Sequence, residues 1–170
     1  MLAKQAPVGL LLASVRRRQR QITETHLKGL GLSVQQFWVL VALHERAGVC
    51  LADLVASLPM DQPTASRVVA SLGQRSLVTQ VSDPTDRRRR RLVLTRKGAT
   101  LAPRLAQIAA QLRDALESRF SGREIATLRS LLTRILESLD DADRVVDVRT
   151  AATPARRAAR PRNALAGRPT

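Results

Sequence analysis

The sequence is poor in cysteine, histidine and aromatic residues. Its 170 residues include one cysteine, two histidines, one tryptophan, two phenylalanines and no tyrosine. A single cysteine excludes an internal disulfide framework, and one cysteine with two histidines argues against a dedicated zinc site. The aromatic content of 2% argues against binding of single-stranded nucleic acid, because such binding depends on bases stacking on aromatic side chains.

Long hydrophobic runs and catalytic motifs are also missing. No stretch approaches the roughly 18 to 20 uncharged apolar residues that cross a bilayer. The apolar segment 6–15 is followed by Arg16, Arg17 and Arg18 rather than preceded by them, which is the reverse of a secretory signal. The sequence contains no histidine, carboxylate and nucleophile arrangement, no glycine-rich phosphate loop and no metal-ligand spacing. We therefore expect a cytoplasmic protein that is not an enzyme, needs no cofactor and does not associate with membranes.

Positive charge, in contrast, is abundant. The chain has 29 lysines and arginines against 14 aspartates and glutamates, a formal net charge of +15. Arginine favours bidentate contacts with phosphate and guanine, so double-stranded DNA is the leading candidate for an anionic partner. Because 44% of the residues are hydrophobic, the chain should also fold into a domain with a true core.

The stretch 61–95 has the composition of a short amphipathic helix followed by a basic hairpin. Asp61 suits an N-cap, and Pro63 fits the first helical turn. Val68, Val69 and Leu72 are expected to face inward, which leaves a polar outer face. A helix of this kind fits the major groove of DNA. The predicted contact residues of this helix are Gln62, Pro63, Thr64, Ala65, Ser66 and Arg67, although a solvated helix face would have the same composition.

The hairpin is predicted from the strand-like segments 77–81 and 92–95, with turn residues at 82–86 between them. Five consecutive arginines, 87–91, lie at its tip, where they could enter the minor groove or bind phosphates. The alternative is a charged loop tip with no ligand. Strand alternation must also turn some of these side chains away from DNA. The predicted wing contacts are Asp86, Arg87, Arg88, Arg89 and Arg90, with Arg88 first among them and Arg91 the weakest candidate of the run.

Helical periodicity and capping signals predict the rest of the fold. Helices are expected at about 7–30, from Ser33 to Gly48, at 51–57, from Thr95 to about 120, and after a capping box at Ser121 and Glu124. Pro103 should bend the fourth of these or delay its regular start. Val49 and Cys50 could add one short strand to the hairpin. The predicted class is mainly α with a small β-wing: a winged helix-turn-helix lobe at about 33–95 and long dimerisation helices at about 7–30 and 96–145.

Two further expectations concern the oligomeric state and the C-terminal tail. The leucine-rich helices have more apolar surface than the small lobe can cover, so a homodimer is expected. Residues 1–145 would then form one domain. Residues 146–170 are read as a basic, disordered tail, either a plain solvated terminus or an auxiliary phosphate-binding arm.

Three motifs together resemble the MarR family of bacterial transcriptional regulators. They are the segment 32–40 (LSVQQFWVL), the helix segment 61–69 (DQPTASRVV), and the wing segment 83–88 (DPTDRR) closing with 94–98 (LTRKG). The match covers about residues 10–139. The family often has an acidic residue and a glycine at the end of the recognition helix, and here Gly73 and Ser76 occupy neighbouring positions instead.

The resemblance implies a homodimer in which the first, fifth and sixth helices interlock and two winged lobes read a palindrome. It implies that helix 63–75 lies in the major groove, that Asp86 pairs with Arg88 to hold the wing, and that Arg88 with Arg87 enters the minor groove. It also implies a small aromatic or phenolic effector bound between the dimer helices and the lobe. We expect the first helix, Trp38 and His44 to line that site, although each side chain could equally be a packing or surface residue.

Cys50 has two interpretations. It adjoins the start of the helix at 51–57, where the helix dipole favours a thiolate and hence oxidant sensing. The blander alternative is a small buried residue. For the whole chain, we predict a dimeric repressor that binds a pseudo-palindromic operator and is released by a small molecule or stress. The alternative is an architectural or weakly specific DNA-binding protein that uses the winged unit and the basic tail.

Overall fold

The computed structural model describes residues 6–86 and 89–151, and the side chains of the last helix as far as Asp141. The elements are α1 (Val8–Leu27), α2 (Val34–Glu45), α3 (Leu51–Ser57), α4 (Gln62–Gln74), β1 (Val78–Ser82), β2 (Arg90–Leu94), α5 (Arg96–Glu117) and α6 (Gly122–Ala151). The chain divides into two units, Met1–Arg119 and Phe120–Thr170. The predicted class, mainly helical with a small β-wing, is confirmed.

The core of the first unit is built around α2. Phe37, Val39, Leu40, Val41 and Leu43 are all buried, so this helix is apolar on nearly all sides. Its start is fixed by a capping box: the Gln36 backbone N–H donates to Ser33 Oγ, and the Ser33 backbone N–H donates to Gln36 Oε1 at 2.9 Å. α4 and strand β2 both pack on this central helix, which places α4 and the hairpin on one scaffold.

The hairpin is antiparallel, with Val78 opposite Leu94 and Ser82 opposite Arg90. The predicted third strand is reduced to a single bridge, in which the Leu92 backbone N–H donates to Val49 O at 2.8 Å. The second strand begins two residues earlier than the sequence predicts, so Arg90 and Arg91 are strand residues rather than tip residues.

The structure bears on two further predictions, the effect of Pro103 on α5 and the start of the basic tail. Pro103 lies inside α5 without delaying it, because the helix already begins at Arg96 after the Thr95 cap. The tail was expected to start at 146, whereas α6 continues to Ala151. Residues 152–170, which hold most of the predicted basic tail, lie outside the described residues.

Each unit exposes apolar side chains on its long helices. In the first unit, Leu10 on α1 is 62% exposed and Leu116 on α5 is 48% exposed. In the second unit, Leu136 and Leu139 of α6 are 63% and 61% exposed. The leucine-rich helix α6 thus has apolar side chains that are open to solvent in the single chain. None of the helices in the described part of the chain has an apolar stretch long enough to span a bilayer.

Candidate nucleic-acid interface

The first turn of α4 presents a polar surface to solvent. Asp61 caps the helix by accepting a hydrogen bond from the Thr64 backbone N–H at 2.8 Å, and hydrogen bonding by Thr64 holds the pKa of Asp61 below its ordinary value. Gln62, Pro63, Ser66 and Arg67 are exposed, and Thr64 is half-buried. All of the candidate residues on this helix except Ala65 are therefore accessible.

Ala65 is a correction to the sequence analysis. It is fully buried and lies on the inner face of α4 with Val69 and Leu72. The three residues recur at steps of four and three, which is the spacing of one helical face. Val68, which was expected to face inward with them, is only partly buried. The methyl group of Ala65 thus packs into the lobe and cannot contact a duplex.

A shallow polar groove runs beside this surface and was not predicted. Its walls are the start of α2 and the outer side of α4, and it is lined by Ser33, Gln35, Gln36, Thr64, Arg67, Val68 and Ser71. The guanidinium of Arg67 lies at its edge, where Nη2 donates to Thr64 Oγ1 at 3.3 Å. Backbone N–H groups at a helix start favour anions, so this groove could accept a backbone phosphate next to α4.

A buried carboxylate organises the wing. Asp83 is 5% exposed, and its carboxylate accepts hydrogen bonds from the Thr85 backbone N–H at 2.8 Å and from the Thr85 hydroxyl at 2.6 Å. Arg91 Nε donates to the other carboxylate oxygen at 2.6 Å. These contacts, those from Thr85 first and that from Arg91 next, hold the pKa of Asp83 far below its ordinary value. The pair closes the turn across the base of the wing loop.

Side chains alternate in direction along β2, so Arg90 and Arg91 have different surroundings. Arg91 points to the inner side, where it binds Asp83 and lies against Gly48. Arg90 points the other way, is exposed, and donates from Nη1 to Ser82 Oγ at 3.3 Å. Arg89 is exposed next to the loop. Sequence analysis ranked Arg91 last among the wing arginines, and its engagement with Asp83 gives the physical reason.

Two of the predicted wing contacts, Arg87 and Arg88, lie outside the described residues. The predicted pair between Asp86 and Arg88 therefore stays a prediction. Asp86 is exposed, and its backbone O accepts from the Arg89 backbone N–H at 2.9 Å. A backbone hydrogen bond thus joins the two residues that flank Arg87 and Arg88 in the sequence.

Cys50 lies at the base of the wing, directly before α3. It is partly buried, and Arg89 Nη2 donates to its Sγ at 3.6 Å. The Cys50 backbone N–H donates to Asp53 at 2.8 Å, and hydrogen bonding from Cys50 lowers the pKa of Asp53. Cys50 is thus not the buried residue of the blander interpretation, and its thiol lies against an arginine of the wing. In residues 6–86 and 89–141, no group of three or more histidine, cysteine, aspartate or glutamate side chains is arranged to hold a metal ion.

The joint between the wing and α5 explains the motif 94–98. Thr95 Oγ1 accepts from the Gly98 backbone N–H at 3.1 Å and donates to Ser76 O at 2.6 Å. Gly98 is buried against the backbone of Leu77, and a Cβ at this position would collide with Leu77 O. Threonine and glycine at this spacing therefore press the start of α5 onto the base of the hairpin.

The two predicted effector residues, Trp38 and His44, do not line the same cavity in the structure. Trp38 lines a cavity of about 170 Å³ formed by α1, α2 and the link between α3 and α4. The complete lining is Arg16, Gln19, Arg20, Thr23, Val34, Gln35, Trp38, Pro59 and Met60. His44 is not among them and is exposed in the last turn of α2. Trp38 and the first helix were predicted to line this site, whereas Met60 and the individual α1 residues Arg16 and Arg20 were not named.

Comparison with known proteins identifies similar chains. The family model described as "MarR family" matches residues 30–89. The chain is 29% identical over 135 residues to the transcriptional repressor NicR of Pseudomonas putida, a match that covers 79% of this chain and 85% of NicR. It is 27% identical to the transcriptional regulator MgrA of Staphylococcus aureus over 135 residues, covering 77% of this chain and 90% of MgrA.

Solved structures agree with these matches. Bordetella bronchiseptica BpsR, in a structure that addresses regulation of its DNA binding by 6-hydroxynicotinic acid, has a TM-score of 0.64 and 29% identity over 76% of this chain and 92% of BpsR. Staphylococcus aureus MepR in its DNA-binding conformation has a TM-score of 0.71 and 24% identity over 79% of this chain and 99% of MepR. The MepR match concerns the fold alone.

Proposed function

We propose that the chain is a winged helix-turn-helix transcriptional regulator of the MarR type, and that it acts as a homodimeric repressor that leaves its operator when a small molecule binds. The observation that carries this proposal is the exposure, on one lobe, of a polar helix face and a basic hairpin. Gln62, Ser66 and Arg67 are open on α4, and Arg89 and Arg90 are open on the wing. A helix in the major groove with a wing in the adjoining minor groove uses both surfaces on the same duplex. The place of action would be the cytoplasm, with the DNA.

The long helices support the homodimer. Val8, Leu10, Leu11, Leu12 and Val15 of α1 are all at least 38% exposed, and α6 has its own set of exposed leucines. Faces of this size on a monomer are an aggregation liability unless another chain covers them. A second copy of the same chain would cover them symmetrically and would present two lobes to a pseudo-palindromic operator. The expected half-site separation is then about 34 to 36 Å, one turn of DNA.

The cavity beside Trp38 supports a small aromatic effector with a negative charge. Its volume of about 170 Å³ is close to that of a cavity that holds a single benzene ring, roughly 150 Å³. Trp38 offers a ring face, and Arg16 and Arg20 offer cations at the rim, where Arg20 also pairs with Glu24 at 2.8 Å. An aromatic carboxylate or phenolate combines the two properties that this lining recognises. BpsR, whose DNA binding is regulated by 6-hydroxynicotinic acid, provides a precedent among similar proteins.

Selection of binding sites from a random duplex library tests the proposal. A regulator should enrich a pseudo-palindrome and bind it roughly 10³-fold or more tightly than random duplex at the same salt concentration. The variant Arg88→Ala should lose operator affinity, because the resemblance assigns this residue to the minor groove. If no sequence is enriched, the operator model is contradicted. If Arg88→Ala keeps full affinity, the assignment of the wing is contradicted.

The run of five arginines favours a second candidate, an architectural DNA-binding protein. Arginines that bind phosphates add affinity without sequence preference. Such a protein would bind selected and random duplex within a small factor of each other. The same competition assay therefore separates the two functions.

A further inference from the structure

Arg75, the residue that ends the recognition helix α4, holds the link between α1 and α2. Its Nη1 donates to Gly31 O at 2.6 Å, and its Nη2 donates to Leu30 O at 3.3 Å. Gly31 has a φ of +61°, a conformation that glycine adopts without strain. The planar guanidinium thus joins two consecutive carbonyl groups that lie 44 and 45 positions earlier in the chain.

A second polar contact joins the same two regions. Gln36 Nε2 donates to Ser71 Oγ of α4 at 2.9 Å, while Gln36 Oε1 accepts from the Ser33 backbone N–H at 2.9 Å. The capping box that starts α2 is therefore hydrogen-bonded to α4 one turn before Arg75. Together the two contacts fix both the position and the rotation of the end of α4 against the α1–α2 link.

The backbone of Arg75 makes a third contact. Lys97 Nζ, in the first turn of α5, donates to Arg75 O at 3.1 Å. The C-terminal end of α4 is in this way bonded to the link that follows α1 and to the start of α5. In the homodimer of the proposed function, α1 and α5 belong to the dimerisation helices. Contacts of Arg75 are thus part of the connection between these dimerisation helices and each recognition helix.

We propose that Arg75 is a positioning residue that sets the separation of the two recognition helices, and hence the half-site spacing that the dimer accepts. This inference rests on the proposed function, because it requires two lobes on one duplex. Arg75 acts through the helix and not on DNA. The Arg75 guanidinium is partly buried and is already engaged by its hydrogen bonds to Gly31 O and Leu30 O.

Operators of altered spacing test this role. Inserting or removing one base pair between half-sites moves them by about 3.4 Å and rotates them by about 35°. The wild-type dimer should lose at least about tenfold in affinity on each altered duplex, and Arg75→Ala should reduce that penalty at least about threefold. Arg75→Lys keeps the charge but lacks the planar fork of donors that fits two neighbouring carbonyls, so its penalty should be intermediate. Lys28→Ala, which removes an exposed cation in the link between α1 and α2, is the matched control and should behave like the wild type.

The outcomes are distinguishable. An unchanged spacing penalty in both Arg75 variants overturns the inference while leaving the proposed function in place. A fall of about one in the slope of log affinity against log salt for Arg75→Ala would identify a direct phosphate contact, which also overturns it. Absence of any preferred palindrome overturns the proposed function and the inference with it. If Arg75→Ala fails to fold, Ser71→Ala removes the neighbouring contact with Gln36 and should relax the spacing penalty in the same direction.

Discussion

Alanine at Gly98 should destabilise the protein, whereas alanine at Gly73 should stabilise it. Both glycines lie in helices, so helix propensity alone favours alanine at each position, by up to about 1 kcal/mol. The surroundings decide the sign. A Cβ at Gly73 would meet Val78 O at 3.8 Å, an ordinary van der Waals distance. A Cβ at Gly98 would overlap Leu77 O and approach Leu94 Cδ2 to 3.3 Å.

The backbone of Leu77, which directly precedes β1, cannot simply move away from Gly98. Leu77 O accepts from the Thr95 backbone N–H at 3.1 Å, so the carbonyl is fixed by the residue that caps α5. Relief of the overlap would separate α5 from the base of the hairpin. Insertion of a methyl group into packed structure costs about 1–3 kcal/mol. We expect Gly98→Ala to lose this amount and Gly73→Ala to gain about 0.5–1 kcal/mol.

Thermal unfolding measured at equal protein concentration provides the assay, since the midpoint of a dimer depends on concentration. For a chain of 150–250 residues, 1 kcal/mol shifts the midpoint by about 2–4 °C. Gly98→Ala should therefore melt roughly 2–12 °C below the wild type, and Gly73→Ala roughly 1–4 °C above it. A midpoint for Gly98→Ala at or above that of the wild type would refute the explanation given for the motif 94–98.

Three further predictions follow from the interface. Arg67→Ala should reduce the slope of log affinity against log salt by about one if Arg67 binds a phosphate, and an unchanged slope would refute that contact. Because the pKa of Asp83 is lowered from 3.8, its stabilisation of the wing is complete above pH 3.8 and is lost only as the pH falls toward the lowered value. In the wild type, the NMR signal of the Thr85 amide should therefore stay unchanged down to about pH 4. In Asp83→Asn, the same signal should be altered at every pH. The redox hypothesis for Cys50 predicts that hydroperoxide weakens operator binding by the wild type but not by Cys50→Ser, and equal loss in both proteins would exclude it.

Features that depend on neighbouring residues could be predicted from the sequence. The caps at Ser33, Asp61 and Thr95, and the capping box at Ser121, each join residues three positions apart, and the structure contains all of them. The helix starts were for this reason predicted closely. The burial of Ala65 could also have been predicted, because this residue shares the helical spacing of Val69 and Leu72. It was grouped instead with the polar residues next to it in the sequence.

Contacts between distant segments could not be predicted in the same way. Nothing in the sequence indicates that Arg75 binds the carbonyls of Leu30 and Gly31, since a backbone acceptor has no residue signature. The pair of Asp83 and Arg91 was missed because five consecutive arginines offer five equivalent partners, and only the register of β1 with β2 selects one. His44 was placed at the effector site by topology, while the direction of its side chain depends on the rotation of α2.

Footprinting of the selected operator with hydroxyl radicals and with dimethyl sulfate tests the central claim most directly, because the first reagent attacks sugars along the minor groove and the second attacks guanine N7 in the major groove. Two identical helix–wing surfaces on one dimer predict two protected regions, centred about 34 to 36 Å apart, each with an outer flank of protected minor groove. The two patterns should be related by the two-fold axis of the palindrome. A single protected region, or protection of the major groove without flanking minor grooves, would contradict the account.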